Sequence, residues 1–192
     1  RFVLATTVTG GAAGATQATV VLQAATGWVV VDRGATTVGG ASRHGSTWAA
    51  WTEEPCASRG DGALLASPSA GEVTAVCRPS AGSARETVSA SHDGRAFDRI
   101  SSIVAPDEVS AIASPVAGTI VGVSSTDPAE LVASTTSGVD WHTVYTGAEG
   151  RIVQLGFEDA DQGVAVLATA GGGQLLMTTD GGTTWAPVDL QQ

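Results

Sequence analysis

A glycine followed three residues later by an aromatic recurs four times in this chain: Gly45 with Trp48, Gly94 with Phe97, Gly138 with Trp141, and Gly182 with Trp185. The first step is 49 residues and the next two are 44. A second glycine series, Gly27, Gly71, Gly118 and Gly163, runs in step with it. A period of this length marks one supersecondary unit. Such a unit cannot bury its apolar face alone, so consecutive units must stack.

Apolar runs flank each member of the second series. Val20-Val21-Leu22 and Trp28-Val29-Val30-Val31 bracket Gly27, and Ile152-Val153-Gln154-Leu155 and Val164-Ala165-Val166-Leu167 bracket Gly163. Each repeat therefore reads strand, turn, strand, loop, strand, corner, strand, and no stretch carries a sustained helical period with caps. Four strands per repeat is the pattern of a propeller blade. The expected fold is all-β, a β-propeller of about four four-stranded antiparallel blades, at about 16–56, 61–105, 108–148 and 150–190. Pro55, Pro106 and Gly150 punctuate the junctions. Residues 1–15 are expected to form an N-terminal strand or partial blade. Four blades leave three routes to cover the end faces: a small closed ring completed by the N-terminal strand, a partial propeller cut from a longer one, or two chains that combine. Phe2–Thr7 loosely echoes Glu130–Thr135, which favours a chain that begins in the middle of a blade.

The last corner is the most complete. Asp180 can turn its carboxylate onto turn N–H groups, Gly182 can take positive φ, and Thr184 and Trp185 suit a half-buried pleated surface. Thr178, Asp180, Gly182, Thr184 and Trp185 together resemble the Asp-box, Ser/Thr-x-Asp-x-Gly-x-Thr-Trp, of the BNR/Asp-box propeller group. That group includes sialidases, sortilin-type receptor domains and photosystem II assembly factors. The resemblance implies that the box residues hold a hairpin on the outer part of a blade, away from the central axis. Trp185 and its counterparts Trp48, Phe97 and Trp141 would then pack between strands. In the other three repeats Arg43, His92 and Thr136 replace the aspartate.

Composition excludes several classes. The nine arginines never cluster and the net charge is −10, which argues against a nucleic-acid surface. No window approaches the ~18 unbroken apolar residues that span a bilayer. Cys56 and Cys77 are expected to pair in an exported protein, and an Arg1 start is expected of a processed or truncated product. The expected location is extracytoplasmic, whether secreted, periplasmic or anchored through a preceding segment.

Catalytic signatures are sparse. The sialidase resemblance implies an arginine triad, a Tyr–Glu nucleophile and an early Phe/Tyr-Arg-Ile-Pro motif. Phe97-Asp98-Arg99-Ile100 departs from that motif, and the single tyrosine, Tyr145, falls in a fourth strand where packing is the natural role. Arg33, Arg59, Arg78 and Arg151 are the candidates for a converging cluster. His44 and His92 fall in corners of different blades, too far apart to share an ion. The acidic turn Glu158-Asp159-Ala160-Asp161 lacks calcium-loop spacing and reads as a solvated hairpin tip. No catalytic residue, metal site or cofactor is assigned. Trp51, beside Glu53 and Glu54, either packs between blades or offers a contact surface, and the loop from Ser124 through Asp127 and Pro128 to Glu130 is a second candidate contact. The function expected is a non-catalytic exported propeller that binds or scaffolds another protein. The alternative is a carbohydrate-active propeller, either a sialidase-like glycoside hydrolase or a lectin.

Overall fold

The computed structural model describes residues 4–10, 16–23, 25–33, 36–51, 55–56, 62–77, 86–92, 96–103, 109–125 and 128–189. Among them there are four antiparallel sheets and no helix, and so no helix long and apolar enough to cross a membrane. This is the architecture of a four-blade β-propeller. The chain divides into two compact units, Arg1–Val104 and Ala105–Gln192, with two sheets in each.

In the first unit, one sheet runs β1 (Leu4–Gly10), β2 (Thr16–Gln23), β3 (Thr26–Arg33), β4 (Thr36–His44) and β5 (Thr47–Ala50) in chain order. The other runs β6 (Ala63–Ser69), β7 (Glu72–Cys77), β8 (Glu86–Ser91) and β9 (Asp98–Ile103). Strand β1 pairs antiparallel with β2, from Leu4 opposite Leu22 to Gly10 opposite Thr16. The N-terminal segment is thus a fifth strand of the first sheet, on the edge away from β5.

Alternation along the strands decides what the two sheets bury. Val21, Trp28 and Val30 leave one face of the first sheet and join Ala63, Leu65, Val73 and Ala75 in one core. Trp51 enters the same core at 8% exposure and meets Phe97 edge to face at 4.9 Å. Its indole N–H donates to Ser42 Oγ. The ring lies flat on Gly40, where a Cβ would come within 2.0 Å of it, so only glycine permits the approach. This corrects the contact reading of Trp51, whose surface is spent inside the unit. Trp48 departs from the packed reading in the opposite sense. It stands 44% exposed on β5, because Gly45 and Ser46 close a plain two-residue hairpin with no box network.

Cys56 and Cys77 form a disulfide with a Cα–Cα distance of 5.5 Å, both fully buried. The bond ties the segment after the first sheet to the end of β7. Replacing both cysteines with alanine is expected to cost about 3 kcal/mol by the loop-entropy argument. Urea denaturation with and without reductant checks this: reduction should destabilise the native chain by that amount and leave the double variant unchanged.

In the second unit, the third sheet is β10 (Val109–Ala113), β11 (Ile120–Ser124), β12 (Glu130–Ser134) and β13 (His142–Thr146). The fourth is β14 (Arg151–Phe157), β15 (Gly163–Thr169), β16 (Gly172–Thr178) and β17 (Ala186–Pro187). Ala113, Val121, Val123, Leu131 and Ala133 of the third sheet form one core with Ile152, Phe157, Ala165, Leu167 and Leu176 of the fourth. Trp185 closes this core edge-on to Phe157 at 5.9 Å.

Candidate binding groove

The second unit has two functionally different ends. At one end lie the corners. Thr178 Oγ1 accepts from Gly182 N at 3.0 Å and donates to Asp180 Oδ1 at 2.8 Å. Asp180 then accepts from Thr184 N at 2.9 Å and from Thr184 Oγ1 at 2.6 Å. Trp185 Nε1 returns to Gly182 O at 3.1 Å. Gly182 has φ +91°, and a Cβ there would lie 2.7 Å from Val121 Cγ2, so both the turn and the neighbouring sheet demand glycine. The hydrogen bonds from Thr184, side chain first and backbone next, hold the Asp180 carboxyl below its usual range.

The third sheet builds the same corner from different atoms. Ser134 Oγ accepts from Gly138 N at 2.9 Å, Asp140 N donates to Thr136 Oγ1 at 2.9 Å, and Trp141 Nε1 donates to Gly138 O at 3.0 Å. Thr136 Oγ1 therefore does the work of the missing carboxylate. The acidic turn shares this end. Asp159 Oδ1 accepts from Asp161 N at 2.8 Å and Gln162 N at 2.7 Å, and the Asp161 carbonyl accepts from Gly181 N at 2.9 Å. Those backbone bonds, Gln162 first, lower the Asp159 carboxyl as well. The acidic turn thus buttresses the neighbouring corner.

At the opposite end, where β11 leads into β12 and β13 into β14, an open hollow of about 410 Å³ is lined by Ser125, Gly150, Arg151, Val153, Ala168, Thr169 and Ala170. Arg151 begins β14 and is exposed; Val153, 51% exposed, stands at the bulge between Ile152 and Gln154. Thr169 Oγ1 accepts from Gly171 N at 3.3 Å and donates to Gly172 O at 3.0 Å, which fixes the adjoining turn. No carboxylate lines the hollow among the described residues.

The contact residues read from sequence scatter around this geometry. Ser124 is buried at the end of β11, Pro128 is exposed, and half-buried Glu130 accepts from Thr146 Oγ1 at 3.5 Å. Ser124 and Glu130 end and begin the strands on either side of the loop that contributes Ser125 to the hollow, and Pro128 lies in that loop. Asp127, Glu53, Glu54 and Gly94 lie outside the described residues, as do Arg59, Arg78 and the side chain of Arg33. Tyr145 is half-buried opposite Leu131, and exposed His92 meets Glu72 at 3.0 Å. Val153 and Thr169 escaped the sequence reading because a valine at a bulge and a threonine in a turn look like any strand residue. Ile152 is buried, so alternation places Val153 on the outward face, and the bulge keeps Gln154 exposed beside it.

The fold belongs to the class of β-propellers, and solved structures agree. The chain is similar to a GH74 xyloglucanase from Xanthomonas campestris, at 17% identity over 88% of this chain and 29% of that one, with a TM-score of 0.56. It is also similar to YCF48 bound to a D1 peptide, at 17% identity over 87% of this chain and 50% of that one, with a TM-score of 0.54. Both are β-propellers. This chain spans half the length or less of each. No protein-family model matches it, and no curated protein shows significant similarity.

Asp180→Ala is expected to lower stability by about 1–3 kcal/mol through lost turn bonds and to leave groove binding intact. The carboxyl is depressed in the fold, so its contribution is present above the unfolded value of about 3.9 and is lost as pH falls through the folded value. Acid titration of the melting temperature should show a shallower limb for Asp180→Asn than for the native chain. The reverse experiment rebuilds a box. Thr136→Asp with Asp140→Thr copies the Asp180/Thr184 arrangement and should stabilise the chain by about 1 kcal/mol in urea.

Proposed function

We propose that this chain is a non-catalytic, exported propeller module of the BNR/Asp-box type that binds a protein partner. The partner presents an extended segment to the groove beside Arg151. The observation that carries this reading is the groove's lining among the described residues: small residues and turn backbone around one guanidinium. Arg151 supplies several N–H donors in a fixed fork, suited to peptide carbonyls, and Val153 supplies the adjoining apolar surface. Asp180 is fully engaged in its own corner, so the box offers no acid for chemistry. The disulfide supports an oxidising, extracytoplasmic location. Likeness to a propeller bound to a peptide supports the reading at the level of fold.

A carbohydrate-active role is the second reading, supported by the likeness to a xyloglucanase. A displayed random-peptide library and a glycan panel with a hydrolysis assay separate the two. Peptide selection should yield binders whose affinity drops about tenfold or more with Arg151→Ala or Val153→Asp. Glycan binding or hydrolysis with no selected peptide would establish the second reading.

A further inference from the structure

The hairpin between β15 and β16 is bare where it meets the groove. From Ala168 through Thr169 and Ala170 to Gly173, no side chain is larger than threonine. The fold requires part of this. Gly172 has φ +134°, a conformation that favours glycine, and the Thr169 hydroxyl pins the turn to Gly171 N and Gly172 O. Gly171 and Gly173 are different. Both keep φ outside the positive region. A Cβ at Gly173 would meet no atom within 4 Å, and one at Gly171 would meet only Thr169 Oγ1, at 3.8 Å. Neither turn geometry nor packing within the chain asks for glycine at these two positions.

The strand register sets this bare strip beside the guanidinium. Arg151 stands opposite Ala168, and Ala168 opposite Gly173, so the three form one row on one face of the fourth sheet. The row is a cation at one end and a floor of methyl and backbone at the other. Two kinds of side chain compete for such a row: a carboxylate paired with Arg151, or an aromatic ring standing on the floor. Magnitudes favour the ring. Arg151 is exposed, and an ion pair in water contributes little. An aromatic side chain removes far more surface from water, and the planar guanidinium stacks on its face. The hollow of about 410 Å³ has room for it.

We infer that the partner's segment is anchored by an aromatic side chain, its edge on Ala168 and Gly173 and its face against the Arg151 guanidinium. This rests on the peptide-binding reading and adds to it the kind of residue the groove selects. Gly173 is then a specificity-determining position, because glycine there keeps the floor low enough for a ring. All of these residues belong to the second unit.

Selection from a displayed random-peptide library, followed by fluorescence polarisation with the selected peptides, tests it. The consensus should hold Phe, Tyr or Trp at one fixed position. Replacing that aromatic with alanine should raise Kd about thirtyfold or more, and with leucine about fivefold. Gly173→Val fills the floor. It should weaken binding about tenfold or more while the melting temperature holds or rises, since a β-former replaces glycine in a strand. Ala168→Leu is a second filling variant. Arg151→Lys keeps the charge but loses the planar face, and should cost about fivefold. A fixed Asp or Glu in the consensus, with affinity unchanged by Arg151→Lys, overturns the aromatic anchor and leaves the groove reading standing. Native affinity in both filling variants also overturns it. If a filling variant fails to fold, the peptide series on the native chain decides: equal affinity for the aromatic and alanine peptides sinks the inference. A library that yields no binder, or binders indifferent to Arg151→Ala and Val153→Asp, overturns the groove reading itself and the inference with it.

Discussion

The second unit depends on a hydroxyl that receives a glycine N–H across a four-residue turn. Thr178 does this in the fourth sheet and Ser134 in the third. The bond holds the corner tight enough for a tryptophan indole to reach back to the glycine carbonyl. That in turn sets the depth at which Trp185 enters the core between sheets. The carboxylate often taken as the mark of such corners is secondary here. Where it is missing, Thr136 supplies one oxygen to the same backbone donor, and the turn survives. A buried hydroxyl partnered by a backbone N–H is neutral and tolerant of substitution around it, which explains how the repeats can drift and still stack.

Much of the architecture was legible because it is periodic. Valine and leucine runs of three or four residues, each close to a turn glycine, read as strands because none extends into a sustained helical period with caps. The corners at 134–141 and 178–185 were legible for the same reason. The first repeat misled because Gly45 and Trp48 satisfy the spacing without the hydroxyl that makes a corner. Ala41 stands where Thr178 and Ser134 stand in the later repeats, and alanine accepts nothing. The hairpin relaxes to two residues, Trp48 swings out, and Trp51 takes the buried place that Gly40 leaves for it.

The groove was less legible than the fold. Its lining comes from three separate stretches near residues 125, 150 and 169, and each is unremarkable alone. Strand direction brings them together: alternate connections in an antiparallel sheet share one end, so the corners gather at one rim and the groove at the other. The acidic turn drew notice for its charge, yet it belongs to the corner rim and spends Asp159 on its own backbone. Charge density in a sequence and availability of charge in a fold are different quantities.

The buried disulfide has a consequence for how the first unit breaks. It spans residues 56 to 77, so a protease that cuts between them leaves two fragments still covalently joined and still sharing one apolar core. Such a nicked molecule would keep its mass and its shape until a reductant reached sulfurs that solvent does not touch.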